Sequence, residues 1–72
     1  MEITINTAYG DVKLRTAYDC EYGQYYDALD SNDNFLGEIW SMPYIDEDDP
    51  ASIEKVKDII ETYITDGDLK MP

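Results

Sequence analysis

Carboxylates are almost the only side chains in this chain equipped for chemistry, and they are placed in groups. Asp46, Glu47, Asp48 and Asp49 run consecutively, and Glu54, Asp58 and Glu61 follow at spacings that put them together on one side of a helix. Asp27, Asp30, Asp33 and Glu38 add a further group earlier in the chain. In all, 17 Asp and Glu stand against 5 Lys and Arg, a formal charge of -12. Charge runs are usually solvated faces, and net charge governs solubility and association rather than fold. Stability alone, however, does not ask for this arrangement. Glu54 and Asp58 are about 6 Å apart along a helix axis, and like charges at that spacing cost a few tenths of a kcal/mol.

Other chemistries have less to stand on. Histidine, the commonest general base and zinc ligand, is absent. Cys20 is the single cysteine; reactive thiols sit in electropositive surroundings, whereas Cys20 is flanked by Asp19 and Glu21. The glycines Gly10, Gly23, Gly37 and Gly67 are isolated and form no phosphate-binding loop. Asp30-Ser31-Asn32-Asp33-Asn34 matches the first five positions of a calcium-binding EF-hand loop. Phe35 then stands where glycine is required, and Ser41 where the bidentate glutamate belongs. A β-turn accounts for that cluster better. With so many acids any carboxylate pair is unremarkable, and a chain this short has little room for a desolvated pocket. The chain is therefore read as non-enzymatic, without metal or cofactor.

The elements that position these residues follow from periodicity. Glu2 to Thr7 alternates, with Ile3 and Ile5 on one face, and Val12 to Tyr18 alternates again. Tyr9-Gly10-Asp11 between them supplies a turn, so the two form a hairpin. Gln24 to Leu29 is Tyr-rich and suits a third strand. Phe35 to Met42 reads as a fourth strand ending before Pro43. A helix begins at Asp49-Pro50, with proline in the first helical position and Ser52 as a competing cap. Ile53, Val56, Ile59, Ile60, Tyr63 and Ile64 recur on one face of it, and Gly67 closes it. Asp68 to Pro72 remains as a short tail.

Residues 1–72 thus make a single acidic α+β domain: a four-stranded antiparallel meander sheet with one C-terminal helix packed on one face. A helix roughly 10 Å across cannot cover four strands spaced about 4.8 Å apart, so the other sheet face is left open. Strict alternation along the fourth strand puts Phe35 and Ile39 on one side and Leu36, Trp40 and Met42 on the other. One set packs on the helix. The other either closes a second small core with the Asp19–Gly23 loop and the tail, or stays exposed as a docking patch.

Five cations (Lys13, Arg15, Lys55, Lys57 and Lys70) are too few and scattered to neutralise nucleic-acid phosphates, and an anionic membrane would repel the chain. The lone thiol and an N-terminus without basic or apolar leader character read as cytoplasmic. The expected partner is instead a basic protein. Seven tyrosines interleave with the acids, and tyrosine is enriched in interfaces. In size and charge the domain resembles, at the level of a class, the small acidic nucleic-acid-mimic inhibitors that phages and mobile elements direct against restriction or CRISPR systems. That resemblance implies carboxylates standing in for phosphates before a nucleic-acid-binding protein. The residues expected to make the contact are Asp46, Glu47, Asp48, Asp49, Glu54, Asp58, Glu61, Asp30, Asp33, Tyr44 and Trp40. The alternative is a homodimer joined through the helix-free sheet face around Trp40.

Overall fold

In the computed structural model, which describes residues 2–71, strands β1 (Glu2–Thr7), β2 (Gly10–Asp19), β3 (Gly23–Leu29) and β4 (Phe35–Ile39) form one antiparallel sheet in the order β1-β2-β3-β4. Helix α1 (Pro50–Thr65) follows. The architecture is the α+β meander with a C-terminal helix that the periodicity predicts.

Each turn is built by a polar side chain that satisfies backbone groups the ladder leaves free. Ala8 and Tyr9 connect β1 to β2. Thr7 Oγ1 donates to the Gly10 carbonyl at 2.6 Å and accepts the Tyr9 N–H at 3.1 Å. Gly10, at φ 119°, opens β2 in a conformation that L side chains rarely adopt. Between β2 and β3, Asp19 Oδ1 accepts the N–H groups of Glu21 (2.8 Å) and Tyr22 (3.0 Å).

The fourth strand departs from its expected pattern. It is shorter than Phe35 to Met42, and its register against β3 shifts: Leu29 faces Phe35, but Ala28 faces Gly37. Leu36 is therefore an extra residue, a β-bulge. The bulge breaks the alternation, so Leu36 and Ile39 are both buried while Phe35 is exposed. Trp40 and Met42 also separate. Trp40 stacks on Tyr25, and Met42 packs against the core. The division of Phe35 and Ile39 against Leu36, Trp40 and Met42 is thus corrected: the bulge breaks the period of two at Leu36, and β4 ends at Ile39, before Trp40 and Met42.

Ile5, Val12, Leu14, Tyr26, Ala28 and Ile39 supply the sheet side of the core, and Val56 and Ile60 the helix side. Among the strands, α1 approaches only β1 closely along its backbone, as the width argument requires. The rest of that sheet face is covered by Ile45 from the β4–α1 loop and Leu69 from the tail, both buried. The tail is consequently part of the core rather than an appendage. A Schellman turn delivers it there: Gly67 N–H donates to the Ile64 carbonyl at 3.1 Å and Asp68 N–H to the Tyr63 carbonyl at 2.9 Å. Gly37 makes room for the returning chain, since a Cβ there would lie 2.7 Å from Leu69 Cδ2 and 2.8 Å from the Asp68 carbonyl oxygen.

Candidate functional site

The helix presents its acids in two states. Glu54 and Asp58 are exposed on the side opposite the buried Val56 and Ile60. Glu61 is half-buried, and its Oε2 accepts the Ala8 N–H of the β1–β2 turn at 2.7 Å. It pins α1 to the sheet, so it leaves the free row that the helical wheel implies.

The loop ahead of α1 is likewise mixed. Asp49 is the N-cap, its Oδ1 accepting the Ala51 N–H at 3.0 Å with Pro50 in the first turn. Ser52 does not cap; its Oγ accepts the Asp46 N–H at 3.0 Å. Asp46 Oδ1 in turn accepts the Asp48 N–H at 3.0 Å. All four carboxylates from Asp46 to Asp49 are nonetheless exposed, and negative charge at a helix N-terminus is favourable. Asp66 and Asp68, also exposed, stand at the opposite end, where the helix dipole favours cations. Lys55 and Lys57 flank the row but make no ion pair among the described residues. The pairs there are Lys13–Asp33 and Arg15–Glu2, both involving β2.

Asp30 and Asp33 are occupied within the β3–β4 turn. Asp30 is only 3% exposed. Its Oδ1 accepts the Asn32 and Asn34 N–H groups at 2.8 and 2.9 Å, and its Oδ2 accepts the Asn34 side-chain amide at 3.0 Å. Those bonds, from the Asn34 side chain first, hold its carboxyl below the usual aspartate range. Asp30 is accordingly removed from the set of surface contacts, because the carboxylate is buried to organise the turn. Asp33 is exposed but hydrogen-bonded and ion-paired to Lys13, which lowers the Asp33 pKa and raises that of Lys13.

Trp40 lies on the other side of the sheet from α1. Its ring stacks on Tyr25, with centroids 4.2 Å apart and planes 18° from parallel, and meets Tyr22 edge-on at 6.2 Å. Trp40 remains 41% exposed. Burial pushes the Tyr25 phenol up, and the nearby Asp27, Glu38 and Asp19 add to the shift. A cleft of ≈ 270 Å³ runs from Gln24, Tyr25 and Trp40 to Met42, Pro43 and Tyr44, and Tyr44 is exposed at its rim. Tyr22, Tyr25, Asp27 and Glu38 thus join Trp40 in a group that residue-by-residue reading did not assemble. The register of the second hairpin puts Asp27 opposite Glu38, and Tyr25 and Trp40 are the next residues along that face.

The structure therefore yields two separate surfaces: the loop 46–49 with Glu54 and Asp58 on the helix side, and an aromatic group with Asp27 and Glu38 on the open sheet face. No three His, Cys, Asp or Glu side chains among the described residues are grouped to hold a metal ion. No described helix is long and apolar enough to cross a membrane. No family model, curated protein or solved structure matches the chain.

Proposed function

We propose that this protein is a non-enzymatic binding module. It presents the carboxylates of Asp46 to Asp49, Glu54 and Asp58 to a basic partner, a protein that itself binds nucleic acid, and so acts as a nucleic-acid mimic. The supporting observation is that Glu54 and Asp58 stand one helical turn apart, exposed and without an ion pair among the described residues. That arrangement disfavours the helix, and the acids at its C-terminal end add to the cost. A cationic partner removes the repulsion, and complementary charge also accelerates association.

Capture from a nuclease-treated bacterial lysate on the tagged protein tests this reading. It predicts retention of a nucleic-acid-binding protein, release at moderate salt because such contacts are screened, and displacement by duplex DNA. Retention that is indifferent to salt and DNA contradicts it.

A second reading is a homodimer through the open sheet face, favoured by the exposure of Phe35 and Trp40 there. It predicts salt-tolerant association that Trp40→Ala weakens, and a monomer at high concentration in sedimentation excludes it.

A further inference from the structure

Across the open sheet face one rank of side chains is charged from edge to edge: Glu2 faces Arg15, Arg15 faces Asp27, and Asp27 faces Glu38. Arg15 is turned to Glu2, with Nε and Nη2 at 3.1 and 3.0 Å from Oε2. Asp27 and Glu38 are left directly opposite each other, and like charges in that relation destabilise a sheet. The adjoining rank is the Tyr25–Trp40 stack, with the Tyr22 ring perpendicular to Trp40 at 6.2 Å between centroids. Trp40 Nε1 lies 3.4 Å from Glu38 Oε1, so indole and carboxylate sit side by side. Carboxylates beside an exposed aromatic ring complement a cation with a flat face.

We propose that Trp40, Tyr22, Asp27 and Glu38 receive an arginine side chain of a basic polypeptide, the guanidinium lying on the aromatic surface and donating hydrogen bonds to the two carboxylates. This deepens the reading of the protein as a binder of basic partners and rests on it. Arginine fits better than lysine because its planar fork stacks on aromatic rings, pairs with carboxylates through two bonds, and is more weakly hydrated. A second copy fits less well. The two cations on its own open face, Lys13 and Arg15, are already engaged with Asp33 and Glu2, and apposed copies would add Asp27 and Glu38 to Asp27 and Glu38.

Trp40 is the only tryptophan, so its fluorescence reports on the site without a label. The full chain is titrated with end-blocked hexa-arginine and hexa-lysine peptides at matched ionic strength. Hexa-arginine is expected to give a saturable change and to bind about three- to tenfold more tightly than hexa-lysine, the range that cation–π contact supplies. The double variant Asp27→Asn, Glu38→Gln is expected to lose most of this affinity while its thermal midpoint stays equal or rises, since the opposed charges are gone. A variant neutralising Glu47, Asp48, Glu54 and Asp58 is expected to lose less than the sheet-face pair.

Equal binding of the two peptides, an unchanged Trp40 signal, or a larger loss in the helix-side variant overturns the proposal. A Trp40 change that depends on protein concentration without peptide overturns it in favour of self-association. The peptide experiment needs no natural partner. Its failure alongside salt-sensitive capture therefore sinks the arginine site alone, whereas failed capture with an intact peptide response sinks the mimic reading.

Discussion

Glu61 and Ala8 are 53 positions apart in the chain, yet the Glu61 carboxylate accepts the Ala8 backbone N–H at 2.7 Å. One acid of the helix thereby becomes a clasp between α1 and the β1–β2 turn, reinforced by Tyr9 Oη and Thr65 Oγ1 at 3.3 Å. Its neighbours Glu54 and Asp58 make no such contact. The distinction between clasping and free acids leads to the first prediction.

Glu61→Ala should lower stability by about 1–2 kcal/mol, the range of an ionic hydrogen bond to a partly solvated group. Glu54→Ala should leave stability unchanged or slightly raised, because it relieves the repulsion with Asp58. Urea midpoints of the two variants, measured side by side, check this; a larger loss for Glu54→Ala contradicts it.

The tail should be indispensable. Leu69 is 1% exposed, and truncating a buried leucine costs about 2–5 kcal/mol, a large fraction of what a domain this small possesses. Leu69→Ala should therefore unfold at much lower urea than wild type. Gly37→Ala should also destabilise, since its Cβ would meet the Asp68 carbonyl oxygen at 2.8 Å. Unaltered midpoints would show that the tail does not close the core.

Stability should fall as the solution is made strongly acidic. Asp30 and Asp33 have folded pKa values below their ordinary 3.8. The stability they contribute is fully present above the unfolded value and is lost as pH falls through the folded ones. Thermal midpoints should fall as pH drops below about 4. Asp30→Asn should blunt that fall, and wild-type midpoints that hold or rise below about pH 4 would contradict the argument.

Added sodium chloride should raise the thermal midpoint at neutral pH, because screening weakens the repulsion among unpaired acids. Lys13–Asp33 and Arg15–Glu2 are exposed pairs, which contribute little to stability. Their screening should not reverse the sign. A midpoint that falls between 0.05 and 0.5 M salt, on the order of a tenfold range about the point where the Debye length is 10 Å, would contradict this.

The sequence carried most of the fold, because Ile3 and Ile5, Val12 and Leu14, and the Ile-rich helix face each repeat with the period of their element. Pro50 at the helix start and Gly67 past its end marked the helix limits for local steric reasons. The bulge at Leu36 was not legible, because an extra residue in one strand is defined only by pairing with the other. The burial of Leu69 was equally hidden, being a tertiary contact made through Gly37. Within the candidate site, the exposure of Glu54 and Asp58 followed from the helical wheel. The roles of Asp30 and Glu61 did not, since each is settled by hydrogen bonds to backbone groups whose placement depends on the folded turns. The Tyr25–Trp40 stack required the hairpin register, which residue types alone do not provide.

The most direct test is capture from nuclease-treated lysate by wild type and by the variant Glu47→Gln, Asp48→Asn, Glu54→Gln, Asp58→Asn, which spares the clasping and capping acids. The account predicts that wild type retains a nucleic-acid-binding protein that duplex DNA displaces, and that the variant, still folded, retains it weakly or not at all. Equal retention by both proteins, undisturbed by DNA, would contradict the claim that this acidic surface mimics nucleic acid.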